Sequence, residues 1–332
     1  LSVSPGSRQV LSMLAACGGN SGSGSSGGKK ALTFQIWDVA QKEGMEAMCA
    51  AYTQQHPDVS IEVQVTSWNE YWTKLEAAAT SNQMPDIFWM HTNELLKYAD
   101  NGMLADCTDI VEKDKFSEIS LSNAMGSNGT LYAVPKDKDT VGLVYNKEMF
   151  DAAGVAYPDE NWTWDDLVSA SEKIYAATGK YGYMAYADDQ LGYWNFVYQA
   201  GGYILNEDKT KAGFTQPATE KAMKFYIGLQ QNDWCPDQTY FAETAPGTAF
   251  FSEKGAMFLE GDWNILAELQ NYPEMVGKWD VAVLPKCPDP ESGDGRATIS
   301  NGLCYATAAS NKNLDTVKDI LKFFGSEEGQ QE

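Results

Sequence analysis

From Ala31 onward the chain alternates strand-like and helix-like segments, and this alternation restricts it to α/β architectures with largely parallel sheets. Residues 32–37 form an apolar, β-prone run, and 43–55 place Met45, Met48, Cys49 and Tyr52 at helical spacing. Residues 59–65 alternate as a half-buried strand does. Ser67 followed by Glu70 predicts a capping box for a helix through Tyr71, Leu75 and Ala78, and 85–90 return to strand. The result is a βαβαβ unit whose crossovers are right-handed by rule.

A second passage opens near 141–146. In it Thr163 and Asp166 predict a helix start, with Leu167, Ala170, Ser171 and Ile174 on one face. Pro217 suits the first turn of a helix carrying Ala222, Phe225, Tyr226 and Leu229. Residues 256–259, 280–284 and 298–308 read as strands. Val317, Ile320, Leu321 and Phe324 then form an apolar stripe closed by Gly325, and a further helix opens at Ser326.

The length of 332 residues fits two domains at about 150 residues each. A formal charge of −22 argues against nucleic acid, whose phosphates need a basic stripe, and against anionic membrane surfaces. No apolar run reaches the roughly 18 residues that span a bilayer. Besides Cys17 there are Cys49, Cys107, Cys235, Cys287 and Cys304, with no CxxC and only two His in the chain. That excludes a zinc framework and leaves open one or two disulfides or buried apolar thiols. No phosphate-binding Gly-rich loop, GxSxG, HExxH or Cys/His nucleophile is present, and no cofactor is implied.

The run Leu14-Ala15-Ala16-Cys17 before a Ser/Gly tract resembles the lipobox of bacterial lipoproteins. The resemblance implies lipidation at Cys17, a membrane tether, and residence on the outer face of the cytoplasmic membrane or in the periplasm. Residues 1–9 offer one Arg, a Pro and a Gly where a basic and then apolar segment is expected, so the leader's start reads as missing or altered.

Several motifs then occur in a characteristic order: Met84-Pro85-Asp86-Ile87, Leu131-Tyr132-Ala133-Val134-Pro135, Val144-Tyr145-Asn146-Lys147 and Thr163-Trp164-Asp165-Asp166-Leu167. Gln199-Ala200-Gly201-Gly202, Gly255-Ala256-Met257, Gly261-Asp262-Trp263 and Phe323-Phe324 follow. In this set and spacing the chain resembles the extracellular sugar-binding proteins of bacterial ABC importers, the group that includes maltose-binding protein, over roughly residues 31 to 332. The resemblance implies a type II periplasmic-binding-protein-like fold: two α/β lobes, each with a mostly parallel sheet, and a ligand cleft between them. It implies a leader and linker over 1–30, a first lobe of 31–138 plus 285–309, and a second of 139–284 plus 310–332. Crossings are expected near 137–142, after Leu284 and near Ala309, and further helices are expected past Glu332. The implied partners are a sugar or oligosaccharide, ABC permease subunits and the membrane, with the protein a monomer.

Sugar recognition uses aromatic faces against C–H faces, with carboxylates and amides for the hydroxyls. Trp263, after a Gly at a strand end, matches a stacking Trp of the family, and Asp262 precedes it. Trp194 lies before a helix where the family often has an aromatic platform, and Asp139 lies in the crossing where the family often has a hydroxyl-binding acid. Asp38 sits at the end of the first strand, the edge where open sheets bind ligands, or else caps the next helix. Trp68 is a ligand contact or a hydrophobic staple. His91, Asn93 and Glu94 follow the third strand, with Asn93 preferred and His91 a surface alternative. Asn301 is a contact or a turn residue. Trp162, Trp164 and the Met residues at 45, 48, 223 and 257 are assigned to packing.

Two other readings stand beside the carrier. One is an exported carbohydrate-active enzyme with paired carboxylates drawn from Glu260, Asp262 and Asp139. The other is the same fold binding a polyamine, peptide or metal complex.

Overall fold

The computed structural model describes residues 29–206 and 210–332, so the proposed lipidation site Cys17 lies outside the described residues. The first unit opens with β1 (Lys30–Ile36), α1 (Lys42–Gln55), β2 (Val59–Val65), α2 (Trp68–Thr80), β3 (Ile87–His91) and α3 (Thr92–Asp100). A short α4 (Glu118–Asn123) and β4 (Val134–Pro135) complete it before the chain leaves. The β1–β2 pairing is parallel over seven residue pairs, and β1 also pairs parallel with β3.

The second unit begins with β5 (Asp139–Asn146), α5 (Lys147–Ala153), α6 (Trp164–Thr178) and β6 (Tyr181–Tyr183). It continues through α7 (Trp194–Gln199), α8 (Pro217–Leu229), α9 (Gln238–Glu243), α10 (Pro246–Phe251), β7 (Gly255–Gly261), α11 (Ile265–Asn271) and β8 (Trp279–Ala282). The chain returns through β9 (Ser300–Asn301), β10 (Leu303–Ala306), α12 (Leu314–Phe324) and α13 (Glu327–Gln331).

The strand order is β2-β1-β3-β10-β4 in the first sheet and β6-β7-β5-β8 in the second, with β9 beside β5. Both sheets are mixed rather than mostly parallel. The strands next to the crossings run against their neighbours: β10 against β3 and β4, and β5 against β7, β8 and β9. The stretch read as one strand over 298–308 is two, broken at Gly302. There the chain passes between units, and a Cβ would stand 2.9 Å from the Asp137 carbonyl oxygen of the other crossing.

The two crossings lie side by side. The Lys136 N–H donates to the Leu303 carbonyl at 2.8 Å, and the Leu303 N–H donates to Asp137 Oδ1 at 2.7 Å. The chain leaves the first sheet after β4 and returns at Gly302, so residues 285–299, expected in the first lobe, stay with the second unit, where Leu284, Cys287 and Ile299 pack in its core. Residues 310–332 also depart from expectation. Val317, Ile320, Leu321 and Phe324 join the first core, with the Phe324 ring 5.5 Å from Phe34 and 5.1 Å from Tyr305. The stripe finds its apolar partner on the first sheet, so among the described residues no crossing occurs near Ala309.

Local chemistry explains most element ends. Thr163 and Asp166 form the reciprocal capping box, and Pro217 opens α8. The box expected at Ser67 and Glu70 is not made, because the Glu70 carboxylate pairs with Lys74 one turn ahead at 2.9 Å. All five described cysteines are buried and free, and burial pushes the thiols of Cys49, Cys107 and Cys235 up to about 12. Trp164 is buried and stacks on Phe225 at 4.4 Å.

Candidate functional site

Between the two units and against both crossings lies a cleft of ≈ 340 Å³. The first unit supplies Trp37, Asp38, Gln41, Trp68, His91 and Leu303. The second supplies Asp188, Gln190, Leu191, Trp263 and Asn264, and the crossing strands supply Asp139 and Asn301. Trp37, Asp38, His91, Trp263, Asn264 and the crossing residues come from strand ends or the turns beside them, where side chains leave the sheet and point past its edge, while Trp68 opens α2 and 188–191 precede α7.

On the first side the aromatic wall is built from the end of β1 and the start of α2. The Trp37 ring meets Trp68 at 5.1 Å, Trp89 at 5.0 Å and Tyr71 at 4.9 Å, so its position is set by edge-to-face contacts in the core below. Trp68 is 40% exposed and faces His91 at 5.5 Å. His91 Nδ1 accepts the Asn93 N–H and so caps α3, while burial lowers its pKa to about 4 and keeps the ring neutral. Asp38 accepts the Ala40 N–H at 2.8 Å and the Gln41 side-chain amide at 3.0 Å. Gln41 Oε1 in turn accepts from Lys136 Nζ, whose ammonium pairs with Asp137 and stands 4.9 Å from the Trp89 ring.

On the second side Trp263 lies folded back over Gly261, where an added Cβ would come within 2.3 Å of the indole. Only glycine admits that ring position. Asn264 donates to Glu260 Oε1 at 2.8 Å, as does the Gly261 N–H. Glu260 is 5% exposed, and burial first, then Glu268 and Asp188, raises its pKa to about 7 against the pull of those two donors. At the crossing Asp139 is likewise raised to about 7, by burial first and then by Asp137 and Asp262, with Lys136 opposing. Asn301 donates its amide to Gln190 Oε1 across the cleft floor.

Of the residues singled out from sequence, Asp38, Trp68, His91, Asp139, Trp263 and Asn301 come together in this cleft. Four do not. Asn93 and Glu94 turn away with α3, where Glu94 faces Lys97. Trp194 packs against the second core because α7 starts at that residue and points it inward. Asp262 Oδ1 accepts the Thr140 N–H at 3.1 Å and borders a separate cavity of ≈ 480 Å³ walled by Val281, Val283 and Leu284. Sequence reasoning missed Trp37, Gln41, Asp188, Gln190, Leu191, Asn264 and Leu303. Trp37 was visible one residue before Asp38, whereas 188–191 form an irregular turn with no periodicity to mark it.

A family model described as "Bacterial extracellular solute-binding protein" matches residues 37–331. The chain is 27% identical to the arabinooligosaccharide-binding protein of Bacillus subtilis over 96% of its own length and 74% of that protein's. It is 25% identical to the lactose-binding protein of Rhizobium radiobacter, covering 87% of this chain and 70% of the relative. Among solved structures, an ABC substrate-binding protein from Listeria monocytogenes in complex with cycloalternan superposes with a TM-score of 0.79 at 24% identity. That match spans 91% of this chain and 76% of the other.

Proposed function

Because the chain belongs to the bacterial extracellular solute-binding proteins, we propose that it captures a sugar or oligosaccharide in the cleft between its units and delivers it to an ABC permease. The observation that carries this reading is the composition of the cleft walls. Trp37 and Trp68 stand on one side and Trp263 on the other, with Asp38, Asp139, Asp188, Gln190, Asn264 and Asn301 between them. Flat apolar faces flanking carboxylates and amides match the alternation of C–H faces and hydroxyls on a pyranose. The relatives named for arabinooligosaccharide and lactose binding support the same solute class. The paired crossings at Asp137 and Leu303 would serve as the hinge on which the units close.

The paired-carboxylate enzyme gains no support, since of Glu260, Asp262 and Asp139 only Asp139 lines the cleft. On the carrier reading the protein acts as a monomer outside the cytoplasmic membrane, tethered through a lipid on Cys17.

Thermal unfolding and Trp fluorescence against mono- and oligosaccharides, with spermidine and a peptide mixture as controls, test the proposal. A sugar at ~100 times its Kd stabilises by about 2.7 kcal/mol, a rise of roughly 2 to 4 °C or slightly less. Trp263→Ala should abolish that rise and leave a cooperative melt. A rise with spermidine or peptide alone overturns the sugar reading, and conversion of the bound sugar to product overturns the carrier.

A further inference from the structure

The second wall of the cleft depends on a residue that does not touch it. Residues 188–193 form the turn before α7 and carry Asp188, Gln190 and Leu191 to the cleft. Behind that turn sits Asn195, with no exposed surface. Its amide nitrogen donates to the carbonyls of Gln190 at 2.7 Å and Gly192 at 3.2 Å. Its Oδ1 accepts the Ile299 N–H at 2.9 Å and lies 3.3 Å from the Thr298 hydroxyl. Both amide hydrogens are used and Oδ1 takes the Ile299 N–H, while the single Thr298 hydroxyl proton has a nearer acceptor in the Val141 carbonyl at 3.0 Å. The two donated bonds hold the cleft turn, and the accepted one holds the segment that leads directly into the return crossing.

Resting on the reading of the cleft as the ligand site, we propose that Asn195 is a positioning residue that joins the 188–193 turn to the return crossing, so that second-wall contacts and hinge backbone move as one body. Asn301, in the crossing strand β9, adds a second link by donating to Gln190 Oε1. A bridge bonded at both ends resists separation, because the Gln190 and Gly192 carbonyls and the Ile299 N–H would each lose a partner. Ligand seated against Gln190 therefore meets a wall whose orientation is set by the crossing, and movement at the crossing is transmitted to that wall.

Hydrogen exchange on the unmutated protein gives the first test. The amides of Gln190, Leu191 and Tyr193 bond to Asp188, and the amide of Ile299 bonds to Asn195 itself. As one body they should open with a common protection factor. Exchange at 190–193 more than about tenfold faster than at Ile299 overturns the proposal, since tenfold is an independent opening equilibrium.

Asn195→Leu, which keeps the branched shape of the side chain and removes the bonds at both ends, should speed exchange at both places together. It should also weaken binding of the saccharide identified with the parent protein by about tenfold, the equivalent of one lost hydrogen bond. Asn146→Ala removes a buried amide that caps α5 away from the cleft and serves as a destabilised control with unchanged Kd. Equal affinity in Asn195→Leu and the parent overturns the proposal. If Asn195→Leu does not fold, the exchange comparison on the unmutated protein still decides it. If the parent binds no saccharide, the carrier reading fails, while the exchange comparison still judges the bridge.

Discussion

Replacing Glu260 with Gln should leave the protein's stability nearly unchanged in acid and raise it in mild base. Glu260 ends its side chain beside Gly261 and Asn264, 5% exposed, with its pKa raised from 4.5 to about 7. Burial penalises the carboxylate more than the two donors on Oε1 favour it. In the unfolded chain the same group ionises near 4.5. The folded state therefore holds its proton longer, so this stabilising contribution is complete below pH 4.5 and lost as pH rises through about 7. At about 1.4 kcal/mol per pKa unit, the gap corresponds to about 3 kcal/mol.

A Gln of the same shape still accepts from Gly261 and Asn264 and cannot ionise. Urea unfolding of both proteins at pH 5 and pH 8 measures the effect, with the Gln variant gaining about 2.5 kcal/mol on the parent between those values. A difference that stays constant with pH would refute the reasoning, because it would mean that the carboxylate is solvated in the fold.

Asp139→Asn follows the same sign, since its pKa is also raised to about 7: the melting temperature should rise at pH 8 and change little at pH 5, and an equal rise at both would count against burial and the neighbouring Asp137 and Asp262 as the cause. Gly261→Ala would place a methyl 2.3 Å from the Trp263 indole, so near-UV circular dichroism should change and stability should fall by about 1–3 kcal/mol; an unaltered spectrum would show that the ring is held elsewhere. Phe324→Ala should cost about 3–5 kcal/mol in urea unfolding, because the ring is fully buried between Phe34 and Tyr305; a loss below about 1 kcal/mol would place α12 off the first core.

Elements with a strong period or a specific end signal were legible from sequence. The alternation over 59–65 gave β2, and Thr163 with Asp166 gave the start of α6. Where two local interactions competed, sequence could not choose, as when Glu70 took Lys74 rather than Ser67. The stripe on α12 predicted a buried face but not which sheet would bury it, since both units offer apolar surfaces. Within the site, the residues at strand ends were legible because topology places them at the sheet edge. Asp188, Gln190 and Leu191 were not, because a side chain buried at 195 and a segment a hundred residues later hold their turn in place.

The strand order of the first sheet also governs how the protein emerges from the ribosome. β10 lies between β3 and β4, yet it is made only after the whole second unit has been translated. For about 210 residues of elongation, roughly 10 to 40 s at ~5–20 residues per second, the apolar edge of β3 lacks its β10 neighbour. The second unit, one uninterrupted stretch from β5 to β9, can close its core during that interval. The half synthesised first is therefore finished last, and its open edge is the segment most in need of a chaperone while the chain grows.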